Sequence, residues 1–98
     1  MRSYVALRRF AAFLPAAIEV MMEASRRRAP PTDEENVRCM NIISSNIILV
    51  EKDDIVIVTS DGSVEDGSWM PSLVNGSFCF VPCFKTRPFL APLEETSP

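Results

Sequence analysis

The stretch from residue 47 to residue 58 constrains the fold more than any other part of the chain. It consists of two runs of β-branched and other apolar residues, separated by four charged residues at positions 51–54. Two such runs around a short polar break are typical of two buried strands that are joined by a turn. The sequence therefore predicts that residues 47–58 fold back on themselves as a pair of strands.

A second pair of strands is predicted around Asn75-Gly76. This dipeptide separates the apolar residues 69–74 from residues 77–81. Asn and Gly tolerate the positive φ angles that a two-residue hairpin turn requires. Residues 37–43 are predicted to form one further strand, which makes the chain mainly β.

The N-terminal part of the chain has the apolar spacing of a helix. Leu7, Phe10, Leu14, Ile18 and Met21 follow one another at steps of three and four residues. Because proline is tolerated in a first helical turn and not in a helix interior, the better helix is predicted from residue 15 to about residue 26.

Consecutive prolines and polar residues after this helix predict a linker. The predicted organisation is a helical extension at residues 1–28, the linker at 29–36, a β-barrel at 37–88 and an extended tail at 89–98. Three interpretations of the extension stay open. It could pack on the barrel, bind a partner or an anionic membrane surface, or act as a mitochondrial targeting segment.

Charge is unevenly distributed along the 98 residues. Residues 1–28 contain six Arg and two Glu, whereas the remainder contains four basic and eleven acidic residues. Binding of nucleic acid needs clustered Lys or Arg against the phosphates, so the acidic remainder argues against a nucleic-acid partner. No apolar stretch reaches the roughly 20 residues of a transmembrane helix.

The chemistry-bearing residue types are few. The sequence contains no histidine, which excludes the triads and metal sites that depend on imidazole. Cys39, Cys79 and Cys83 are too few for a secreted disulfide framework, so a reducing, cytoplasmic compartment is expected. Three cysteines are also one ligand short of a tetrahedral zinc site. We therefore expect no enzyme activity, no metal and no cofactor.

Apolar residues alternate around Asp53-Asp54, and an acidic segment, Trp69, Asn75-Gly76 and Pro82 follow in that order. With these features, residues 37–84 resemble an SH3 domain. In that family, alternating apolar residues flank a Gly-Asp pair at the diverging turn, and an acidic loop, a tryptophan, an Asn-Gly turn and a proline follow. The same order occurs here, with Asp53 in place of the glycine. The matching positions are Ile48, Val50, Asp53, Asp54, Val56, Val58, Trp69, Asn75, Gly76 and Pro82.

The resemblance implies a five-stranded SH3-like barrel with a groove for an extended peptide. Several aromatic positions of that groove differ, because Met70 replaces the second tryptophan and Lys85 stands at the late tyrosine position. In the family, a tryptophan and a proline contact the peptide while loop acids select its basic residues. The residues implied for peptide binding are Trp69, Pro82, Phe84, Asp61, Glu65 and Asp66.

These observations predict a non-enzymatic protein-interaction module that binds a peptide or partner surface near Trp69. Two alternatives stay open. The chain could be a small regulatory protein of viral or phage type that binds a host partner through its N-terminal helix. It could also be a small barrel that binds nucleic acid through the basic residues 26–28. The sequence leaves the oligomeric state undetermined.

Overall fold

The computed structural model describes residues 2–59, 69–83 and 86–93. Within these residues, seven strands form one antiparallel sheet, accompanied by two longer helices and one short helix. The elements are β1 (Arg2–Ala6), β2 (Phe10–Phe13), α1 (Pro15–Ser25), α2 (Asp33–Ser45), β3 (Ile47–Val50), β4 (Ile55–Val58), β5 (Trp69–Val74), β6 (Ser77–Pro82), α3 (Thr86–Phe89) and β7 (Leu90–Pro92).

The sheet is organised around one long antiparallel ladder. β1 pairs with β4 and β2 pairs with β3, from Arg2 opposite Val58 to Phe13 opposite Ile47. In every pair of both ladders, the two residue numbers add up to 60, so the register is the same before and after the interruption. Residues 2–13 and 47–58 are therefore two long strands, each broken in the middle, and the helices α1 and α2 form the connection between them.

The strand order requires the sheet to curl. The order is β3-β2-β6-β5-β4-β1-β7, so β2 and β1 would lie about 19 Å apart in a flat sheet with strands about 4.8 Å apart. The four residue steps from Ala6 to Phe10 span at most about 14 Å. Curling brings β1 and β2 within reach of each other and encloses one face of the sheet.

The enclosed face carries the core. Buried side chains alternate along the strands with period two, as expected of a sheet with one packed face. The core cluster contains Tyr4, Ala6, Phe10, Ala12, Val50, Val56, Val58, Val74, Cys79, Val81 and Leu90. The first thirteen residues thus supply four of its members and belong to the folded body.

The helices form a hairpin that packs mainly on itself. α1 contacts α2 and also contacts β6, and its Ala17 and Ile18 are buried. α2, whose residues are all described, has none that is buried. It begins with a capping box, in which the backbone N–H of Glu35 donates to the hydroxyl of Thr32 at 3.1 Å and the Glu35 carboxylate accepts from Thr32.

The mainly β class is confirmed, whereas the five-stranded SH3-like barrel is not. The hairpin at Asn75-Gly76 is confirmed, because β5 and β6 pair across it and both turn residues have positive φ. The helix predicted from residue 15 is also confirmed as α1. Strands at 47–50 and 55–58 are present, but their predicted pairing with each other is wrong, since β3 pairs with β2 and β4 pairs with β1 and β5.

Three further predictions are corrected. The helical extension is wrong before residue 14, because residues 2–13 alternate between core and solvent and pair with residues 47–58. The strand predicted at 37–43 is helical, because the capping box at Thr32 starts α2. Because α2 begins at Asp33, the linker predicted at 29–36 ends before that residue. In the predicted tail, Leu90–Pro92 forms β7 at a sheet edge, where proline is tolerated.

Candidate interaction surface

The outer face of the sheet carries an unusual number of apolar side chains. On β2, β6 and β5, which are neighbours in the sheet, the outward positions are those that alternate with core residues such as Ala12, Cys79 and Ser72. A sheet with one face in water normally has polar residues at these positions. We use the name aromatic face for the four aromatic residues there, Phe13, Trp69, Phe78 and Phe80.

Two edge-to-face ring pairs hold the aromatic face together. The rings of Phe13 and Trp69 are 5.3 Å apart at 82°, and those of Phe78 and Phe80 are 5.2 Å apart at 76°. Phe80 also lies directly opposite Phe13 in the β2–β6 ladder. Such pairs contribute about 0.5–1.5 kcal/mol in addition to the free energy of burying their apolar area. Contacts within the chain therefore position the four side chains before any other molecule binds.

The aromatic face remains accessible despite these contacts. Phe78 keeps 45% of its surface exposed, and the other three residues are half-buried. Ile47, on the neighbouring strand β3, is 41% exposed and lies opposite Phe13. The result is an apolar surface that continues across four neighbouring strands.

Trp69 and Pro82 are brought together as the sequence predicted, but they differ in how far they are exposed. They lie opposite each other in the β5–β6 ladder. Trp69 is half-buried and belongs to the aromatic face, whereas Pro82 is almost completely buried. Because cross-strand partners share a face, Pro82 lies on the same side of the sheet as Trp69 and Phe80, but it is covered there. It is therefore less accessible than the sequence predicted, and its contact with a peptide stays a prediction.

The other predicted site residues lie outside the described part of the chain. These residues are Asp61, Glu65, Asp66 and Phe84. Their contribution to a binding surface stays a prediction.

Sequence reasoning missed Phe13, Phe78 and Phe80. Phe13 fell within the segment that was predicted to be a helix. Phe78 and Phe80 alternate with Cys79 and Val81, so the strand is apolar on both faces. A strand of that kind indicates a sheet that is covered on both sides, and this signal could have identified the face.

Neither of the two ion pairs among the described residues includes a member of the aromatic face. Arg9 donates to Glu51 at 2.5 Å, in line with the ladder, and Arg27 pairs with Glu35 at the outer end of the helical hairpin. Hydrogen bonds from Thr32, assisted by Arg27, hold the pKa of the Glu35 carboxyl below its usual value. The described residues include no cluster of His, Cys, Asp or Glu that could hold a metal ion.

Cys79, on the enclosed face of the sheet, has little thiol reactivity at neutral pH. Cys79 is fully buried in the core, and burial raises the pKa of its thiol to about 11. At neutral pH the group is a small apolar side chain, because the thiolate is the nucleophilic form.

A pH dependence of stability follows from Cys79. An unfolded chain ionises this thiol near pH 8.5, but the folded chain retains the proton up to about pH 11. The unfolded state therefore binds fewer protons in this window, and the free energy of unfolding falls as the pH rises from about 8.5 to 11, by at most about 1.4 kcal/mol per pH unit. Denaturant titrations across this range measure the slope.

The matched control for this measurement is Cys79→Ala, since other groups titrate at the same pH. The slope of the variant is expected to be shallower than that of the parent chain. Equal slopes in the two proteins would contradict the assignment of the effect to Cys79.

Comparisons with known protein families, with curated protein sequences and with solved structures give no match to this chain. In the part of the chain that the structure describes, none of the helices combines the length and the apolar character that a membrane span requires.

Proposed function

We propose that this chain is a non-enzymatic protein-interaction module, which binds an extended peptide or a partner surface across the aromatic face. The observation that supports this proposal most strongly is the set of four aromatic side chains at outward positions of three neighbouring strands. Aromatic residues are enriched at the centres of protein interfaces, where they supply much of the binding energy.

The geometry favours an extended partner. Ladder residues on the outer face repeat at every second position along each strand, so the aromatic face has the spacing that alternate side chains of an extended chain can match. The indole of Trp69 offers a flat apolar surface together with an N–H donor. These are the properties that suit proline-containing peptides.

Charge selection by the acidic segment is part of the same proposal. Asp61, Glu65 and Asp66 precede Trp69 by three to eight residues in the sequence. Carboxylates so close to the tryptophan along the chain would favour a basic partner, and salt would weaken that preference. The resemblance to SH3 domains belongs to this proposal too, supported by the Trp69–Pro82 pair and by the Asn75-Gly76 turn.

The test uses two synthetic peptides as probes, one proline-rich with flanking arginines and one with glutamates in place of the arginines. Backbone amide and indole N–H spectra of the full chain are recorded during titration. We expect shifts at Trp69 and Phe80 with the basic peptide, and weaker shifts with the acidic one. Unchanged spectra at the aromatic face with both peptides would contradict the proposal.

A pair of variants distinguishes binding at the aromatic face from nonspecific adsorption to exposed apolar side chains. Phe78→Ser removes the most exposed ring of the face. Leu7→Ser is the matched control, because Leu7 is exposed to a similar extent, 47% against 45% for Phe78, and lies in the connection between β1 and β2. We expect the first variant to lose peptide binding and the second to retain it.

A second candidate function is favoured by the exposure of α2. Val37 and Met40 keep 60% and 67% of their surface exposed on a helix that buries no residue. An apolar stripe of this kind suits docking of the helix against a partner. The same titrations, carried out with a candidate host protein, would favour this function if residues 37–42 shifted while Trp69 did not.

A further inference from the structure

The outer edge of β3 presents backbone groups that the sheet does not use. In an antiparallel pair, residues that bond to the neighbouring strand alternate with residues whose N–H and C=O point away from it. The N–H of Leu14 donates to the C=O of Asn46 at 2.8 Å, which fixes this alternation. Ile48 therefore bonds to β2, while Ile47 and Leu49 direct their backbone groups to the open side.

Further along the same long strand, the backbone groups on this side are already hydrogen-bonded. On β4, this side of the strand pairs with β5, and the N–H of Thr59 continues the ladder by donating to Pro71 at 3.0 Å. Beyond β3, the described residues include no further strand. Among the described residues, the N–H and C=O groups of Ile47 and Leu49 have no backbone partner, and these two donors and two acceptors can pair with another chain.

The open row has a defined end. The next outward N–H along the chain, that of Glu51, already donates to the carboxylate of Asp54 at 2.9 Å. A partner strand can therefore bond only to Ile47 and Leu49. This restriction limits the registers in which pairing satisfies every group.

The side chains of β3 also lack the features that protect an edge. Ile47 and Leu49 are 41% and 50% exposed. Ile48 faces the core beside Ala12 but is only half-buried, because the sheet ends there. Natural edge strands are usually protected by charges, prolines or short length. The opposite edge, β7, is three residues long and ends in Pro92, whereas the four residues of β3 are all apolar and include neither a charge nor a proline.

We propose that β3 pairs with β3 of a second copy of this chain, antiparallel and about a two-fold axis through Ile48. In this register Ile47 lies opposite Leu49 of the second copy, and each such pair exchanges two hydrogen bonds. All the outward groups of both copies are then satisfied. The two Ile48 side chains meet at the axis and complete the inner layer of the sheet.

Self-complementarity is the reason for assigning the edge to a second copy. Shifting the register so that Leu49 lies opposite its own counterpart would place Ile47 opposite Glu51, whose N–H is already bonded. A two-fold interface requires one patch to match itself, and β3 does so in the one register that uses every open group. The outer faces of the two sheets would also become continuous.

The first test is Leu49→Pro, studied by sedimentation equilibrium from micromolar to millimolar concentration. Proline removes the N–H of residue 49, which bonds to none of the residues that the structure describes. Proline is tolerated at an edge strand whose N–H faces outward. The variant loses two of the four hydrogen bonds across the axis. We expect the dimer dissociation constant to rise at least about tenfold.

A second variant keeps the test valid if the proline disturbs folding. Leu49→Lys places a charge at the open edge, and Leu7→Lys is its matched control, since Leu7 is exposed to nearly the same extent. We expect the first variant to be monomeric and the second to dimerise like the parent chain. Neither variant alters the aromatic face, so failure here leaves the proposed peptide binding standing.

The register is measured directly on a mixture of labelled and unlabelled full-length chain. Intermolecular contacts between the Ile48 side chains, together with amide protection of Leu49 that increases with concentration, are the expected results. A chain that stays monomeric at millimolar concentration overturns the proposal. So does a dimer whose dissociation constant neither Leu49 variant changes, or a monomer whose Leu49 amide becomes protected only when the proline-rich peptide is added.

Discussion

Replacing Phe10 with alanine is expected to lower the free energy of unfolding by about 3–5 kcal/mol, the usual cost of removing a buried ring. Only 4% of the surface of Phe10 is exposed. The ring contacts Phe89 edge-to-face with centroids 5.7 Å apart, and it lies opposite the fully buried Val50. Denaturant unfolding followed by tryptophan fluorescence measures the loss.

The control for this variant is Leu7→Ala. In an N-terminal helix, Leu7 and Phe10 would share one buried face, and the two substitutions would have similar effects. In the structure Leu7 is 47% exposed, so its replacement is expected to change the stability by no more than about 0.5 kcal/mol. Equal losses from the two variants would contradict the placement of residues 2–13 in the sheet.

Deleting residues 1–13 is expected to abolish cooperative folding. The deletion removes β1, which lies between β4 and β7, and β2, which lies between β3 and β6. Four members of the core cluster are lost with them. We expect the truncated chain to show no sigmoidal unfolding transition by circular dichroism, and a cooperative transition would show that the sheet does not depend on these strands.

A loop replacement provides the complementary result. Leu14 and Asn46 lie opposite each other at the end of the ladder, so a short glycine-containing turn can replace residues 15–45 without changing the register. This variant is expected to unfold cooperatively. Its stability should be lower than that of the full chain, because the burial of Ala17 and Ile18 is lost.

The elements that the sequence predicts correctly are those with local signals. Asn75-Gly76 determines its hairpin through backbone preferences of the two residues themselves. Pro15 marks the first turn of α1, and β-branched residues mark β3 and β4. Each of these features depends on residues close together in the chain.

The strand pairing could not be predicted in the same way. The ladder joins residues 2–13 to residues 47–58 across a helical hairpin, and composition does not specify which distant strand is the neighbour. Phe10 fits the helical spacing from Leu7 to Leu14 and also the two-residue alternation with Ala12. The pairing of Phe10 with Val50 decides between the two patterns. No short stretch of sequence contains both residues, so the pairing cannot be recognised locally.

The candidate site was predicted in part for the same reason. Trp69 and Pro82 were identified from their order along the chain, and their pairing follows from the local β5–β6 hairpin. Phe13 joins them only because β2 lies beside β6. By contrast, the start of α2 had a local signal, since Thr32 and Glu35 have the spacing of a capping box, and the apolar run that follows was assigned to a strand instead.

The central claim is that residues 2–13 and 47–58 form one ladder, because this ladder sets both the aromatic face and the open edge of β3. Nuclear Overhauser contacts between α-protons test it most directly, since these protons approach closely in non-hydrogen-bonded antiparallel pairs. We predict strong contacts between Ala11 and Leu49 and between Phe13 and Ile47. Contacts between Ile48 and Ile57 instead, as in a hairpin within residues 47–58, would contradict the account.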